Sequence, residues 1–113
     1  MKFFETQFDV LLNLDKIISL SLDGHQFEEI HAKDVTGNNH LIVRVGSHFI
    51  DNQGNSVDFS YGLKSLFLNI LTIVIIKFHL EENRKIITWN TIYETTWDKF
   101  LHSCEFKYKF KPN

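Results

Sequence analysis

The sequence predicts a mainly β fold, with α+β as the alternative. Within it we expect an antiparallel sandwich or a partly open barrel of about seven to nine strands, with one or two short helices. Apolar and polar residues alternate in several segments, which is the period of a strand. Eleven phenylalanines supply much of the apolar surface, and phenylalanine is favoured in strands and cores. Clusters of Asp, Asn and Gly separate the alternating segments and predict turns.

The composition is that of one globular domain covering residues 1–113, because a chain of 113 residues is too short for two ordinary domains. Apolar residues make up 43% of the chain and charged residues 23%, which is typical of a folded protein. The net charge of -2 gives no overall attraction to nucleic acid. The only cysteine, Cys104, excludes an intramolecular disulfide and a multi-cysteine zinc site.

Residues 8 to 22 are interpreted as a strand, because apolar residues occupy most even positions and polar residues most odd positions. A helical stripe through Leu14 and Ile17 competes with this interpretation, but it leaves Phe8 and Leu12 among polar residues. Within the strand, the segment "NLDKI" is expected to form a bend or a turn.

The pair Asp23-Gly24 follows "ISLSL" and predicts a tight hairpin, because Gly accepts a positive φ without a Cβ clash. Pairing across this turn sets Leu20 opposite Phe27. The alternative for residues 24–34 is a short helix that Asp23 caps at its N-terminus. The sequence leaves both interpretations open, and "VTGNN" is expected to form a turn in either of them.

Residues 40 to 61 predict a second hairpin, because "HLIVRVGSHFI" and "SVDFSY" flank the turn-forming segment "DNQGN". A five-residue loop places Phe49 near Val57 and Val45 near Tyr61.

The alternation in the first strand of this hairpin assigns each side chain to a face. Leu41 and Val43 are expected to point inward, toward the core. His40, Arg44 and His48 then form one polar row that points outward. This row is the first candidate site for binding a partner, because Arg is enriched at the centres of protein interfaces.

The segment "LFLNILTIVIIKFHL", residues 66 to 80, is the most apolar in the chain. As a helix its fifteen residues reach about 22 Å, which is short of the roughly 30 Å hydrocarbon core of a bilayer. Lys64 and Lys77 bracket only the shorter run "SLFLNILTIVII", so no membrane span is expected. The part that ends at Ile70 is interpreted as a short helix. From Leu71 onward, the β-branched residues favour a central strand.

This central strand is expected to be covered on both faces, so that residues 73 to 76 (Ile73, Val74, Ile75 and Ile76) are all buried. The segment "KIITWNTIYETT" is interpreted as the returning strand, which sets Trp89 across from Ile76. After it, "TTWDKFLHS" is expected to form a turn of helix or an irregular connection.

The final segment "CEFKYKFK" alternates without a break and is interpreted as a strand. Phe106 and Tyr108 share one face, while Lys107, Lys109 and Lys111 form a basic stripe on the other. This stripe is the second candidate for binding a partner. The competing interpretation is that lysines protect an exposed strand edge from pairing with other chains.

The sequence carries no signature of catalysis or of a bound cofactor. There is no "GxSxG" segment around a nucleophile and no Gly-rich phosphate loop. Six histidines invite a metal site, but their spacing along single strands is too wide for one ion. We therefore expect a protein that is not an enzyme, with no catalytic residues, no metal and no cofactor.

The expected function is that of a small cytoplasmic binding protein that binds and blocks a partner protein. Small size and absent catalytic signatures give it the profile of toxin-immunity proteins and of phage anti-defence inhibitors. A small β-barrel that binds an apolar small molecule is one alternative, and a weak nucleic-acid-binding module is another. A homodimer formed through a strand edge is also compatible with the sequence.

Overall fold

The computed structural model describes residues 2–23, 28–46, 49–51, 53–81 and 85–104. Within these residues the chain forms eight strands, one 3-10 turn and two α-helices. In chain order they are β1 (Phe3–Glu5), β2 (Leu11–Asn13), the 3-10 turn (Leu14–Lys16), β3 (Ile17–Asp23), β4 (Glu29–Asp34), β5 (Asn39–Arg44), β6 (Phe49–Ile50), β7 (Ser56–Val57), α1 (Tyr61–Glu81), β8 (Ile86–Ile87) and α2 (Trp89–Cys104).

The strands form three small sheets, with the orders β2-β1-β8, β3-β4-β5 and β6-β7. All pairs are antiparallel except β1 with β8, which run parallel. The fold is therefore mixed α+β, and the predicted antiparallel sheet character is confirmed. The described strands do not close into a barrel.

The strand expected over residues 8 to 22 is divided into two. β2 and β3 are separated by the 3-10 turn, where the Asn13 side-chain oxygen accepts a hydrogen bond from the Asp15 backbone N–H at 3.0 Å. This local bond competes with a continuing ladder, as is usual for Asn. The bend expected at "NLDKI" is confirmed.

β3 and β4 form the hairpin expected after Asp23, but with a longer connection. Leu20 pairs with Ala32, and Asp23 pairs with Glu29. The prediction that Leu20 pairs with Phe27 is therefore wrong. Residues 29–34 are strand rather than helix, whereas residues 24–27 lie outside the described part of the chain.

The second hairpin is confirmed at its tip only. Phe49 pairs with Val57, and the Asp51 carboxylate accepts hydrogen bonds from the backbone N–H groups of Gln53 and Asn55 at 2.8 and 2.9 Å. The expected proximity of Val45 to Tyr61 as strand partners is wrong, because α1 begins at Tyr61.

The apolar segment forms a continuous helix, so the strand expected from Leu71 onward is wrong. Buried residues of α1 recur at helical spacing, and they are Phe67, Leu68, Leu71, Val74 and Ile75. Ile73 and Ile76 remain 59% and 45% exposed, which contradicts the expectation that residues 73 to 76 are all buried. Packing of one helical face against the core outweighs the weak strand preference of β-branched residues.

α1 is also longer than the helix length that was expected from the fifteen residues of the apolar segment. With 21 residues it is about 31 Å long, and the window Gly62–Leu80 is long and apolar enough to cross a membrane by length and composition. Only 28% of that window is buried. The buried face of α1 nevertheless belongs to the core shared with α2, β3 and β4.

The returning strand expected after residue 84 is short, and a helix replaces the rest of it. Ile86 and Ile87 extend the sheet beside β1, after which the Thr88 hydroxyl accepts a hydrogen bond from the Thr91 backbone N–H at 3.2 Å. A hydroxyl in this position is a helix N-cap, and α2 begins at the next residue. Trp89 therefore starts α2 and does not lie across a strand from Ile76. Of the two expectations for "TTWDKFLHS", a turn of helix or an irregular connection, the helical one is confirmed, because the segment lies within α2.

Aromatic rings fill the interior between the helices and the β6-β7 hairpin. Phe67 and Trp97 lie 4.8 Å apart between ring centroids, and Phe49 and Phe100 pack around them. Phe67, Trp97 and Phe100 are fully buried. Rings from both helices and from the hairpin therefore hold these elements together.

Candidate binding surface

The sheet β3-β4-β5 has one apolar and one polar face. Leu20, Ala32, Ile30 and Val43 lie on the inner face, which α1 covers. The other face, called the outer face below, is built from residues of all three strands. Its members are Ser19, Ser21, Asp23, Glu29, His31, Lys33, Asn39, Leu41 and Arg44.

A charged network orders one end of the outer face. The Glu29 carboxylate lies 2.9 Å from His31 Nε2 through one oxygen and forms an ion pair with the Arg44 guanidinium through the other. Glu29 is only 9% exposed, whereas the Arg44 side chain is 57% exposed. Hydrogen bonds from His31 and then from Arg44 lower the pKa of Glu29 below its ordinary value.

The main chain of Arg44 is fixed as well. Its backbone N–H donates to the Gln7 side-chain oxygen at 2.9 Å, and the Gln7 backbone N–H donates to the carbonyl of Ile42. Together these bonds cover the free edge of β5 and hold Arg44 in place on the outer face.

A β-bulge separates His40 from Arg44. Pairing runs from Glu29–Arg44 and Ile30–Val43 to His31–Leu41, so that Ile42 is the extra residue on β5. The extra residue reverses the alternation, because successive side chains of a strand point to opposite faces. His40 consequently pairs with Ala32 on the inner side of the sheet, while Arg44 lies on the outer face.

His40 stabilises the turn between β4 and β5 through Asp34. Its Nε2 lies 2.8 Å from the Asp34 carboxylate, which also accepts hydrogen bonds from the Thr36 and Asn38 backbone N–H groups at 2.9 and 3.1 Å. These bonds lower the pKa of Asp34 well below its ordinary value, and the bond from His40 has the largest effect. The turn occupies "VTGNN", as the sequence predicts.

Of the six predicted partner-binding residues, His40 and Arg44 lie within the described part of the chain. The expected row does not form, because His40 and Arg44 lie on opposite faces of the sheet. His48 and the basic stripe of Lys107, Lys109 and Lys111 lie outside the described residues.

A second surface was missed by the sequence analysis. Ile73, Ile76 and Leu80 recur on α1 with spacings of three and four and are 59%, 45% and 73% exposed, and we call them the α1 stripe. Ile18 of β3 is 62% exposed and lines the same groove as Ile76. The helical period of the apolar segment was the signal that could have revealed this stripe.

Two grooves flank the α1 stripe. The first, of about 600 Å³, lies between α1 and α2, and Ile70, Ile73, Asp98 and His102 contribute to its walls. The second, of about 210 Å³, lies between α1 and β3, and its lining is mostly aliphatic. Among the described residues, no group of three His, Cys, Asp or Glu side chains is placed to hold a metal ion.

Comparison of the chain with protein-family models, with curated proteins and with solved structures gives no match. The outer face and the α1 stripe are therefore interpreted from their own chemistry.

Proposed function

We propose that the protein is a small binding protein without catalytic activity, which binds and blocks a partner protein in the manner of toxin-immunity proteins or phage anti-defence inhibitors. The observation that supports this proposal best is the ordered outer face, on which Arg44 is half exposed while Glu29 and Gln7 hold it in position.

The fixed position of Arg44 favours binding of a protein surface. Ordering a long side chain upon association costs about 0.5–1.5 kcal/mol, and this cost is smaller when the side chain is already held. Arg is also among the residues that dominate interface energetics. Arg44 therefore suits the role of an anchor for an acidic or carbonyl-rich patch on the partner.

The surroundings of Arg44 give the surface its specificity. Exposed Lys33 adds a second positive charge, whereas exposed Asp23 on β3 adds a negative one. A partner with the complementary arrangement is attracted, and one with like charges is repelled. The small side chains of Ser19 and Ser21 leave room for a partner to approach the sheet closely.

Cytoplasmic location is part of the proposal. The residues of α1 that face α2 and the sheet are core residues, among them Phe67, Leu71 and Ile75. A membrane-spanning α1 would have to abandon this core. Fractionation of cells that express the chain tests this, because recovery in the membrane pellet after a high-salt wash would contradict it.

The alternative of a ligand-binding barrel receives no support from the arrangement of the described strands, which is open. The ring of Phe49 packs against Phe59, Phe67 and Trp97, so that side chains fill this part of the interior.

The test begins with a pull-down from the native source or its host, using the tagged chain. A captured protein is then purified, and its affinity and activity are measured with and without the chain. We expect the chain to inhibit that activity. The variant Lys33→Glu, which changes charge on the outer face without touching the Glu29–Arg44 pair, should weaken binding about tenfold or more.

Lys85→Glu is the matched control, because it makes the same charge change at an exposed residue beside β8. It should leave the affinity unchanged. Equal affinities of the two variants would mean that the outer face does not bind the partner. Binding without any effect on the partner's activity would contradict the proposal that the chain blocks it.

A further inference from the structure

One edge of the main sheet is open within the described part of the chain. β3 pairs with β4 on one side, and no described backbone group hydrogen-bonds to residues 19 to 22 on the other. The opposite edge of the sheet, at β5, is occupied by the Gln7 backbone bond to Ile42. An open strand edge offers unpaired N–H and C=O groups to another strand.

The open edge and the α1 stripe lie on the same side of the molecule. The smaller groove joins them, since it is lined by Ile17, Ile18 and Leu20 of β3 and by Ile75 and Ile76 of α1. A single partner that pairs with β3 therefore also reaches the exposed side of α1.

We propose that this partner is a second copy of the same chain, related by a two-fold axis. β3 pairs antiparallel with β3 of the second copy, and the two α1 helices pack side by side through their stripes. The interface is isologous, because the same surface is used by both copies. This inference goes beyond the proposed function and does not depend on it.

The sequence of β3 is self-complementary in one register. With the axis at Ser21, Leu20 of each copy lies opposite Leu22 of the other, and Ser19 lies opposite Asp23. The leucines belong to the inner face, where α1 lies, and the serines and aspartates belong to the outer face. No like charges meet in this register, and no apolar residue is placed opposite a charged one.

The β-bulge of β3 limits this pairing to five residues and supplies a further contact. The register shift between Ile17 and Ser19 leaves Ile18 as the extra residue, 62% exposed beside the groove. Beyond this register shift, residues 19 to 23 form an uninterrupted strand segment. Ile18 then meets the α1 stripe of the second copy.

The exposed area is appropriate for a dimer. The exposures of Ile18, Ile73, Ile76 and Leu80 correspond to on the order of 400 Å² of apolar surface per copy, about half of what each partner buries in a standard interface. A standard interface buries about 800 Å² per partner, and the β3 main chain with its neighbours supplies the remainder. A continuous six-stranded sheet results, with both outer faces on one side.

The oligomeric state of the full chain tests the proposal by sedimentation equilibrium over a range of concentrations. We expect a dimer that dissociates on dilution. Ile76→Lys should raise the dimer dissociation constant at least about tenfold, because a lysine would be buried against an apolar helix. Val10→Lys is the control, since Val10 is 49% exposed and bonded to Thr6, beside Gln7, which covers the opposite edge of the sheet.

A disulfide trap tests the register. In a Cys104→Ser background, Ser21→Cys places two thiols directly opposite each other, and oxidation should link the copies covalently. Ser19→Cys should not link them, because each copy's residue 19 faces residue 23 of the other. A chain that is monomeric at all concentrations overturns the proposal, as does a dimer unaffected by Ile76→Lys or one that Ser19→Cys traps in preference to Ser21→Cys.

Discussion

Arg44 lies directly across from Glu29 on the neighbouring strand, and the two side chains form an ion pair on the outer face of the sheet. Glu29→Gln removes this pair and weakens the contact with His31. We expect a loss of about 1 kcal/mol in the free energy of unfolding, because the exposed guanidinium is screened by solvent. Urea denaturation measures it. Glu94→Gln on the exposed side of α2 is the control, and an equal loss there would contradict a specific role for the pair.

Two hydrogen-bonded carboxylates, Glu29 and Asp34, predict a loss of stability in acid. The pKa values of Glu29 and Asp34 are lowered in the folded protein from ordinary values of 4.5 and 3.8. The unfolded chain therefore binds protons first as the pH falls. The contribution of these two carboxylates to the free energy of unfolding has its full value above about pH 5. It decreases as the pH falls below 4.5 toward the lowered pKa values of the folded protein.

Denaturation midpoints between pH 3 and pH 7 check this prediction. Glu29→Gln should reduce the slope of stability against pH below the ordinary pKa of glutamate. An unchanged slope would show that other carboxylates account for the acid sensitivity.

The bulge in β5 predicts opposite sensitivities at two neighbouring positions. Ile42 is fully buried, whereas Leu41 faces the outer side and is partly exposed. Ile42→Ala should cost about 2–4 kcal/mol of stability because it leaves a cavity in the core. Leu41→Ala should cost under about 1 kcal/mol. Thermal unfolding of both variants measures the two losses of stability. A larger loss of stability for Leu41→Ala would mean that the alternation continues along β5 without a bulge.

Helical packing of α1 predicts a similar contrast. Ile75→Ala should destabilise the protein by about 2–4 kcal/mol, since Ile75 is buried between α1 and the sheet. Ile76→Ala should have an effect of under about 1 kcal/mol on the monomer. The comparison is made by urea denaturation at a concentration where the chain is monomeric. Equal losses would favour the doubly covered strand that the sequence suggested.

The hairpins and the α-helical apolar segment show what a single sequence can and cannot predict. Turn residues located the β6-β7 tip correctly, because Asp51 acts through local hydrogen bonds. Strand preference failed at Ile73 to Ile76, because the choice between strand and helix depends on distant packing partners, such as Trp97 against Phe67 earlier in the same helix.

The candidate site was harder to predict for a related reason. Arg44 was found by alternation, but the bulge at Ile42 depends on the register with β4 and reverses the side of His40. A single extra residue in a strand changes the face of the sheet to which every side chain beyond it points. Gln7, which holds Arg44, lies 37 residues away along the chain and gives no local signal.

The parallel pairing of β1 with β8 has a consequence for synthesis. Phe3 and Phe4 pair with Ile86 and Ile87, so β1 acquires this neighbour only after about three quarters of the chain has been made. Until then the fully buried Phe4 has no completed core to enter. The protein is therefore expected to fold as one unit near the end of translation, and nascent chains that stop before residue 86 should remain sensitive to proteases.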